Sequence, residues 1–559
     1  MPFSRRRGCA FLKRAVAVFL ILAVCFSLAS CSDTESGSQV ESATQITETQ
    51  PIGTGVIRLA FSANDSLDPY SAQSKINRQL TSLMFDPLVK LDSGLNPVFC
   101  LAQSVESEEN NKLWHISLKD ARFSDGSSVS GSDVITSYEL AKKAANSVYP
   151  SQLSNVKSID AGGGTVSFQL RNSDPNFINL LDFPIIKGGS RNRKNQDKKE
   201  LPPIGSGRYV YEYSNGSYSL KPNEKYYGNL PKNSVELINV PDNDAWKYAI
   251  RSGEADIYYS GDDVHDLPSF SGGTSQPRHT DFIFLSVSDK SETLGSKPIR
   301  NAIHTYLDRR QITESSFYTY AYPAVSVYPN TVKFAKGTEQ GLSPSGNVNS
   351  STDYLAQAGY SNKNEQGIYL DKNGKPLSLK LIYNKSDKTH QTTASAVSDQ
   401  MRKLGISIEL SALSSDMYRK KIVEEDYDLA LCEMKLNKNL DLSPVFQLTK
   451  YSGIKATTTT TTTTTTTKVT EPTSSDGKPT RTTTAKFNAG ITTKLLSAYN
   501  EYLTGRTDIS EFINEFYSSL PVIPVCYRTG LTGYSSSISN AAESSVSDAY
   551  LNLENISSK

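Results

Sequence analysis

Segments typical of β-strands alternate with segments typical of α-helices along most of this chain, and this alternation constrains its fold more than any other feature. Short runs rich in Val, Ile, Leu, Tyr and Phe are typical of strands. They fall at 56–61, 113–118, 165–170, 235–240, 282–287, 377–383 and 427–432. Runs with helical spacing or helix boundary residues lie between them, at 76–84, 133–145, 245–252, 298–310 and 392–404. The series predicts an α/β protein, and 559 residues are enough for two or three domains.

Single residues mark several boundaries. Ser132 is predicted to cap the helix that starts at residue 133, while Gly253 and Gly405 are predicted to end two others. Two Asp-containing turns, at 123–126 and 371–374, each end in a glycine that can take a positive φ and let the chain reverse.

Residues 451–486 do not fit the alternation. Threonine is unbroken from 457 to 467, and Ser, Thr, Pro and Lys dominate the rest. β-branched Thr disfavours helix, and Pro and Gly disfavour strand, so the segment is predicted to be a disordered insertion in a folded domain. It is either a glycan-bearing or adhesive loop or a tolerated low-complexity expansion. A helical stripe of Leu495, Leu496 and Tyr499 follows.

The N-terminal segment has the pattern of a signal peptide. Five basic residues within the first 14 precede an uncharged apolar stretch at 15–29, which is shorter than the roughly 20 residues that a membrane-spanning helix needs. The motif Leu28-Ala29-Ser30-Cys31 resembles the lipobox of bacterial lipoproteins. Residues 1–30 are therefore predicted to be removed, Cys31 to carry a lipid, and 31–55 to form a disordered tether. The alternative is ordinary secretory cleavage with Cys31 incidental.

The net charge argues against nucleic-acid binding, and the cysteine spacing argues against a cysteine metal site. A formal net charge of +1 provides no large basic field for nucleic acid. Cys100, Cys432 and Cys526 are far apart in the sequence and show no metal-ligand spacing, so buried free thiols are predicted. A disulfide that involves Cys100 or Cys526 is the alternative.

Catalytic and metal motifs are missing from the sequence. It contains no G-x-S-x-G, P-loop, H-E-x-x-H or EF-hand pattern. The acidic stretch at 262–266 includes His265, but a surface loop explains it better than a metal site does. We expect no enzyme activity, no cofactor and no metal.

The order of several short motifs resembles the family 5 extracellular solute-binding proteins of ABC importers. A strand, an aromatic-S-D-G turn and a helix follow one another at 114–134, as in that family. Further landmarks lie at 66–70, 83–89, 205–209, 251–257, 299–303, 308–310, 521–525 and 552–554. The resemblance extends over nearly all of 56–556.

The resemblance implies a periplasmic-binding-protein-like α/β fold whose two lobes close over a ligand. Lobe I is expected to comprise 56–80, 187–285 and 527–559, with an extra subdomain at 81–186. Lobe II is expected at 286–526, with the Thr-rich insertion inside it. The hinges are expected near Ser286 and Cys526.

The resemblance also implies ligand-binding positions. In peptide-binding relatives the ligand backbone pairs like a strand with main-chain groups. The matching segments lie around Gln73 and Lys75 and at 433–439, which includes Leu436. Tyr149 is either a cleft residue or an ordinary surface residue.

The chain departs from the family pattern where an acid commonly pairs with the peptide's α-ammonium group. No Trp is present there, and Asn437 occupies the place of the acid, with Glu433 and Asp441 as possible substitutes. Sugars, opines and nickel complexes, which other family members bind, therefore stay open as ligands.

The leading interpretation is a monomeric, lipid-anchored, extracytoplasmic receptor that captures a peptide or related small solute and delivers it to ABC permease subunits. One alternative is a surface adhesin or signalling lipoprotein that retains the fold. Another is an unrecognised hydrolase.

Overall fold

The computed structural model of the chain describes residues 55–261, 266–447 and 492–558. The predicted signal peptide, Cys31, nearly all of the tether and the Thr-rich insertion at 451–486 lie outside these residues. Among the residues described, no helix has the length and apolar character that crossing a membrane requires.

Strands and helices are numbered in chain order. The strands are β1 (Val56–Phe61), β2 (Val89–Leu91), β3 (Pro97–Phe99), β4 (Ala102–Glu108), β5 (Leu113–Leu118), β6 (Val156–Gly162), β7 (Thr165–Leu170), β8 (Arg193–Lys194), β9 (Glu200–Leu201), β10 (Tyr209–Ser214), β11 (Ser217–Pro222), β12 (Ser234–Asn239), β13 (Ile257–Gly261), β14 (Gly273–Ser275), β15 (Arg278–Val287), β16 (Ala321–Pro323), β17 (Asn362–Lys363), β18 (Tyr369–Leu370), β19 (Ser378–Asn384), β20 (Ser407–Leu413), β21 (Leu429–Lys435), β22 (Val522–Thr529) and β23 (Leu531–Tyr534). The helices are α1 (Lys75–Met84), α2 (Gly131–Ala141), α3 (Tyr149–Gln152), α4 (Asn243–Ser252), α5 (Lys297–Tyr306), α6 (Arg309–Phe317), α7 (Val348–Gln357), α8 (Lys388–Leu404), α9 (Ser415–Glu424), α10 (Ser443–Phe446), α11 (Thr493–Leu503) and α12 (Ile509–Ser519).

A seven-stranded sheet forms the first lobe. Its strand order is β10-β11-β12-β1-β13-β23-β14. β1 lies between two parallel neighbours, β12 and β13. Ile57, Leu59 and Ala60 are fully buried, because a central parallel strand is covered on both faces. Helix α4 packs on this sheet through Trp246, which is also fully buried.

A four-stranded antiparallel sheet, β4-β5-β7-β6, forms a subdomain with its own core. On β5, buried Trp114 and Ile116 alternate with partly exposed residues. This is the period-two pattern of a sheet with one face toward solvent. Phe168 and Phe177 pack beside Trp114.

A six-stranded sheet, β16-β22-β15-β21-β19-β20, forms the second lobe. β15 is antiparallel to both neighbours, β21 and β22. In its core, Phe282 stacks on both Phe284 and Tyr527. Helix α8 ends at Gly405 (φ 112°) as the sequence predicts.

The chain passes between the two large sheets at two points, residues 276–277 and Gly530. Gly530 N donates to Pro277 O at 2.9 Å, so the two crossings lie side by side. A Cβ at position 530 would lie 2.6 Å from Gly261 O, which explains the glycine. The predicted hinge residues Ser286 and Cys526 lie inside β15 and β22 and are fully buried. The crossings lie beyond them because β15 begins at Arg278, before the predicted strand, and β22 continues past Cys526 to Thr529.

Two predicted helices differ from the structure. The predicted helix at 298–310 is two helices, α5 and α6, because Asp308 caps the second by accepting from Gln311 N at 3.0 Å. Helix α2 begins at Gly131 rather than residue 133, because Ser130 and Asp133 form its capping box. It ends at Ala141 rather than at residue 145. The predicted end of α4 at Gly253 (φ 76°) is confirmed.

Candidate ligand-binding site

Two cavities lie where the second lobe meets the first lobe and the subdomain. The first, of about 490 Å³, is bordered by α1, residues 146–149, Asp182, Lys438 and the C-terminal segment 545–549. The second, of about 780 Å³, is bordered by Ser151 and Ser154 on one side. Residues of α8, α9, β21 and the segment after β21 border its other side.

Ion pairs neutralise most of the acids around the first cavity. Asp548 accepts from the buried Arg208 at 2.9 Å and from Lys90 at 3.2 Å. Burial opposes ionisation of Asp548, but these two cations hold its carboxyl pKa below the usual value. Burial raises the pKa of Asp86, which accepts from Tyr227 at 2.7 Å.

The predicted residues Lys75 and Tyr149 border this first cavity. Lys75 donates to the carbonyl of Ser260 at the end of β13. Burial raises the Tyr149 pKa well above its usual value, so the phenol is neutral. Tyr149 is therefore a neutral aromatic wall of the cavity.

The segment 437–439 connects the second lobe to the subdomain. Lys438 forms an ion pair with Asp182, and both side chains are buried. The Lys438 carbonyl accepts from Asn179 at 3.2 Å, and Asn439 donates to Asp174 at 2.7 Å. Burial raises the pKa of Asp174 to about 7, although the Asn439 hydrogen bond favours its ionised form.

Glu433 belongs to a cluster of charges beside the second cavity. Its carboxylate accepts two hydrogen bonds from Arg528, at 2.6 and 2.8 Å, and one from His390 at 2.9 Å. Burial opposes ionisation, yet these contacts lower the Glu433 pKa to about 2. Because its oxygens are occupied, Glu433 is poorly placed to replace the missing amine-binding acid.

The same cluster contains three residues of metal-ligand type, Asp387, His390 and Glu433, whose ligand atoms lie within 4.8 Å of one another. The Arg528 guanidinium lies 3.7 Å from Asp387 and bonds Glu433. A guanidinium at this position repels a cation and competes for the same oxygens, so the geometry is that of an ion-pair cluster.

Asn437 and Asp441 lie on the second cavity's wall. Asp441 Oδ1 accepts from Ser443 N at 2.9 Å and from Tyr499 OH at 2.8 Å. These bonds orient the carboxylate through one oxygen. Asp441 is therefore the acid in this cavity that is best placed for a ligand cation.

β21 provides a strand edge to the second cavity. One side of the strand pairs with β15 along its whole length. On its other side, β19 pairs with it at Leu429 and Ala430 alone among the described residues. Beyond Ala430 the strand borders the cavity from Cys432 to Lys435. Such an edge can pair with the main chain of an extended ligand.

The remaining predicted site residues lie elsewhere. Gln73 is exposed and borders neither cavity; its amide oxygen accepts from Asn146. Leu436 is a core residue at 4% exposure, and Thr280 bonds both its main-chain groups. Cys31 lies outside the described residues. Thus Lys75 and Tyr149 meet at one cavity, and Glu433, Asn437 and Asp441 at the other.

Sequence reasoning missed Asp182, His390 and Arg528. Each is separated from its partner in the site by 43 to 256 residues of sequence. For Arg528 alone a signal was available, the motif at 521–525 just before it. It marks a strand beside β15, and Arg528 follows on the same strand.

Two other predictions concern the three cysteines and the acidic stretch at 262–266. Cys100, Cys432 and Cys526 are free and buried, as the sequence predicts. In the acidic stretch at 262–266, residues 262–265 lie outside the described part of the chain, and Asp266 pairs with Lys247 at 2.9 Å.

Two sheet-based lobes, a subdomain and cavities between them define the class of two-lobed binding proteins. The sequence model described as "Bacterial extracellular solute-binding proteins, family 5 Middle" matches residues 96–475. This chain belongs to the family 5 extracellular solute-binding proteins of ABC importers.

Curated relatives carry names of the same kind. The chain is 26% identical over 377 residues to oligopeptide-binding protein AppA of Bacillus subtilis. It is 22% identical over 350 residues to a nickel-binding periplasmic protein of Escherichia coli. These matches cover 60% and 59% of this chain, and the chain spans 66% of each relative's length.

Solved structures share the fold over a longer stretch. A nickel ABC transporter protein from Bacillus halodurans has a TM-score of 0.65 at 18% identity, covering 90% of this chain and 99% of that one. MppA, a periplasmic murein tripeptide binding protein in an unliganded open form, has a TM-score of 0.64 at 18% identity, with coverage of 87% and 95%. The predicted two-lobed α/β fold is confirmed.

Proposed function

We propose that this chain is an extracytoplasmic receptor, anchored to a membrane by lipid on Cys31, that captures peptides between its lobes and delivers them to an ABC importer. The observation that carries the peptide assignment is the strand edge of β21 along the second cavity. Main-chain pairing at such an edge gives affinity for any peptide sequence. The names of AppA and MppA support the same ligand class.

The second cavity supplies the polar groups that a peptide terminus needs. Asp441 is held by Ser443 and Tyr499 through one carboxylate oxygen and is the proposed partner of the peptide's α-ammonium group. The Asn437 amide lies on the same cavity and can accept a second hydrogen bond from it. A charged hydrogen bond of this kind contributes about 1.5–3 kcal/mol.

Binding measurements test the peptide assignment. Native mass spectrometry of the chain purified from its source is expected to release peptides, and calorimetry with such a peptide is expected to show saturable binding. Asp441→Asn is expected to weaken binding by roughly 10- to 100-fold. Asp399→Asn, on an exposed face of α8, is the control and leaves affinity unchanged. Release of a non-peptide solute contradicts the peptide assignment, and equal affinities of the two variants contradict the role proposed for Asp441.

The lipid anchor is tested separately. A culture labelled with radioactive palmitate is expected to label the wild-type chain in the membrane fraction. Cys31→Ser is expected to abolish the label, because the thiol that accepts the diacylglycerol is missing. Equal labelling of the Cys31→Ser variant would show that Cys31 is not the acylated residue.

A further inference from the structure

We infer that the Lys438–Asp182 ion pair divides the cleft into two chambers and restricts this receptor to short peptides. This inference rests on the proposed peptide-binding function and names the ligand length that the same site accepts. The chambers are the first and second cavities already described.

The same two chain segments border both cavities. In the subdomain, Tyr149 of α3 faces the first cavity, while Ser151 of the same helix and Ser154 of the turn that follows it face the second. In the second lobe, Lys438 faces the first cavity and its neighbour Asn437 faces the second. The two cavities are therefore adjacent, and the contact between these segments lies between them.

The Lys438–Asp182 pair closes that contact with buried side chains. Exposure is 10% for the Lys438 side chain and 2% for that of Asp182. Ser547 donates to Asp182 at 2.8 Å, and Tyr149 OH approaches the Asp182 carbonyl at 3.5 Å. The partition thus joins the second lobe, the subdomain and the C-terminal segment.

Anchoring of the neighbouring residues keeps the pair in place. The Lys438 carbonyl accepts from Asn179, and Asn439 donates to Asp174. A ligand that passes from one chamber to the other must separate a buried ion pair and leave both charges without their partners, which is strongly unfavourable. A ligand that stays in the second chamber leaves the pair intact.

The edge of β21 that faces the second chamber sets the length. It runs from Cys432 to Lys435. At about 3.4 Å per residue these positions span about 10 Å, which two or three extended ligand residues cover. Only ligand residues beyond the third would have to enter the first chamber.

Two double variants separate the effect of space from the effect of charge. Lys438→Ala with Asp182→Ala removes both charges and opens the passage. Lys438→Met with Asp182→Leu also removes both charges but keeps the space filled. Replacing a buried ion pair with apolar groups of similar size preserves stability, so the filled variant is a folded control, and its melting temperature checks this.

The probe is a set of synthetic random-sequence peptide pools of two to eight residues, incubated at equal concentration with the full chain and analysed by native mass spectrometry. The wild type and the filled variant are expected to retain peptides of two and three residues. The opened variant is expected to gain peptides of four or more residues, with at least a tenfold rise in their bound fraction.

Three outcomes overturn the inference in distinguishable ways. If the wild type retains six-residue peptides as well as tripeptides, the partition does not limit length, although peptide binding stands. The same conclusion follows if the opened and filled variants retain identical lengths. If no pool binds to the wild type or to either variant, the proposed peptide function itself fails, and the length limit fails with it.

Discussion

At the scale of single residues, Glu433 is an acid beside the second cavity whose negative charge is already paired with other side chains of the protein. The sequence offers Glu433 and Asp441 as equivalent candidates, because both are acids close to Asn437. The structure separates them. Glu433 is bonded by Arg528 and His390, whereas Asp441 is held by neutral groups. Only contacts with residues remote in sequence make this distinction, so composition near Asn437 could not reveal it.

Glu433→Gln is predicted to destabilise the second lobe by about 2 kcal/mol at pH 7, because the buried Arg528 loses the carboxylate that it bonds directly and keeps only Asp387, 3.7 Å away. The folded-state pKa of Glu433 is about 2, below its usual 4.5. The stabilisation is therefore complete above about pH 4.5 and is lost as pH falls toward 2. Guanidinium unfolding midpoints of the wild type and the variant, measured from pH 3 to 7, check both the loss of stability and its pH dependence.

A double variant, Glu433→Leu with Arg528→Leu, serves as the control, because it removes both charges and should recover stability. Equal unfolding midpoints for Glu433→Gln and the wild type at pH 7 would refute the prediction.

At the scale of secondary-structure elements, the sequence predicts best where one local pattern determines the result. The alternating and buried strands β1, β5 and β7 have the predicted bounds. Glycine in the left-handed region ends α4 and α8 as expected. These features depend on side-chain periodicity and backbone conformation over a few residues, which the sequence carries directly.

Element boundaries set by competing caps or by tertiary pairing were harder to predict. Asp308 divides a continuous apolar pattern into α5 and α6, and Ser130 rather than Ser132 starts α2. β15 begins four residues before the predicted 282, because its first residues pair with β22 and β21. Strand pairing also explains why the chain crosses between the sheets at 276–277 and Gly530 and not at the predicted hinges, Ser286 and Cys526. A strand's length is fixed by its neighbours, which a single sequence does not specify.

At the scale of the whole molecule, the family resemblance predicted the two-lobed fold, and the candidate site is assembled from segments that lie far apart in sequence. Lys75, Tyr149 and Asp441, which border the two cavities, could be named in advance because the family resemblance implies ligand-binding segments at or near these positions. The contact between Asp182 and Lys438 could not, since 256 residues separate the two. The division of the chain into lobe I, subdomain and lobe II at the predicted boundaries remains a prediction.

The contact between the subdomain and the second lobe also predicts a pH dependence of closure. Asp174 on the subdomain accepts from Asn439 on the second lobe, and burial raises its pKa to about 7 in this arrangement. When the lobes separate, water reaches the carboxyl and its pKa returns toward 3.8. The closed arrangement therefore binds a proton that the open one releases between about pH 4 and 7. Closure is favoured below this window, and the preference is lost as pH rises through 7.

Small-angle X-ray scattering of the ligand-free chain at pH 5.5 and pH 8.5 measures this effect as a change in radius of gyration. The wild type is expected to be more expanded at pH 8.5, because the ionised Asp174 is poorly solvated in the closed contact. Asp174→Asn keeps the size and one acceptor but has no proton to lose, so its radius of gyration should stay constant between the two pH values. Asp416→Asn, whose carboxylate is 93% exposed, should behave like the wild type. An equal expansion of the Asp174→Asn variant would place the pH-sensitive group elsewhere in the molecule.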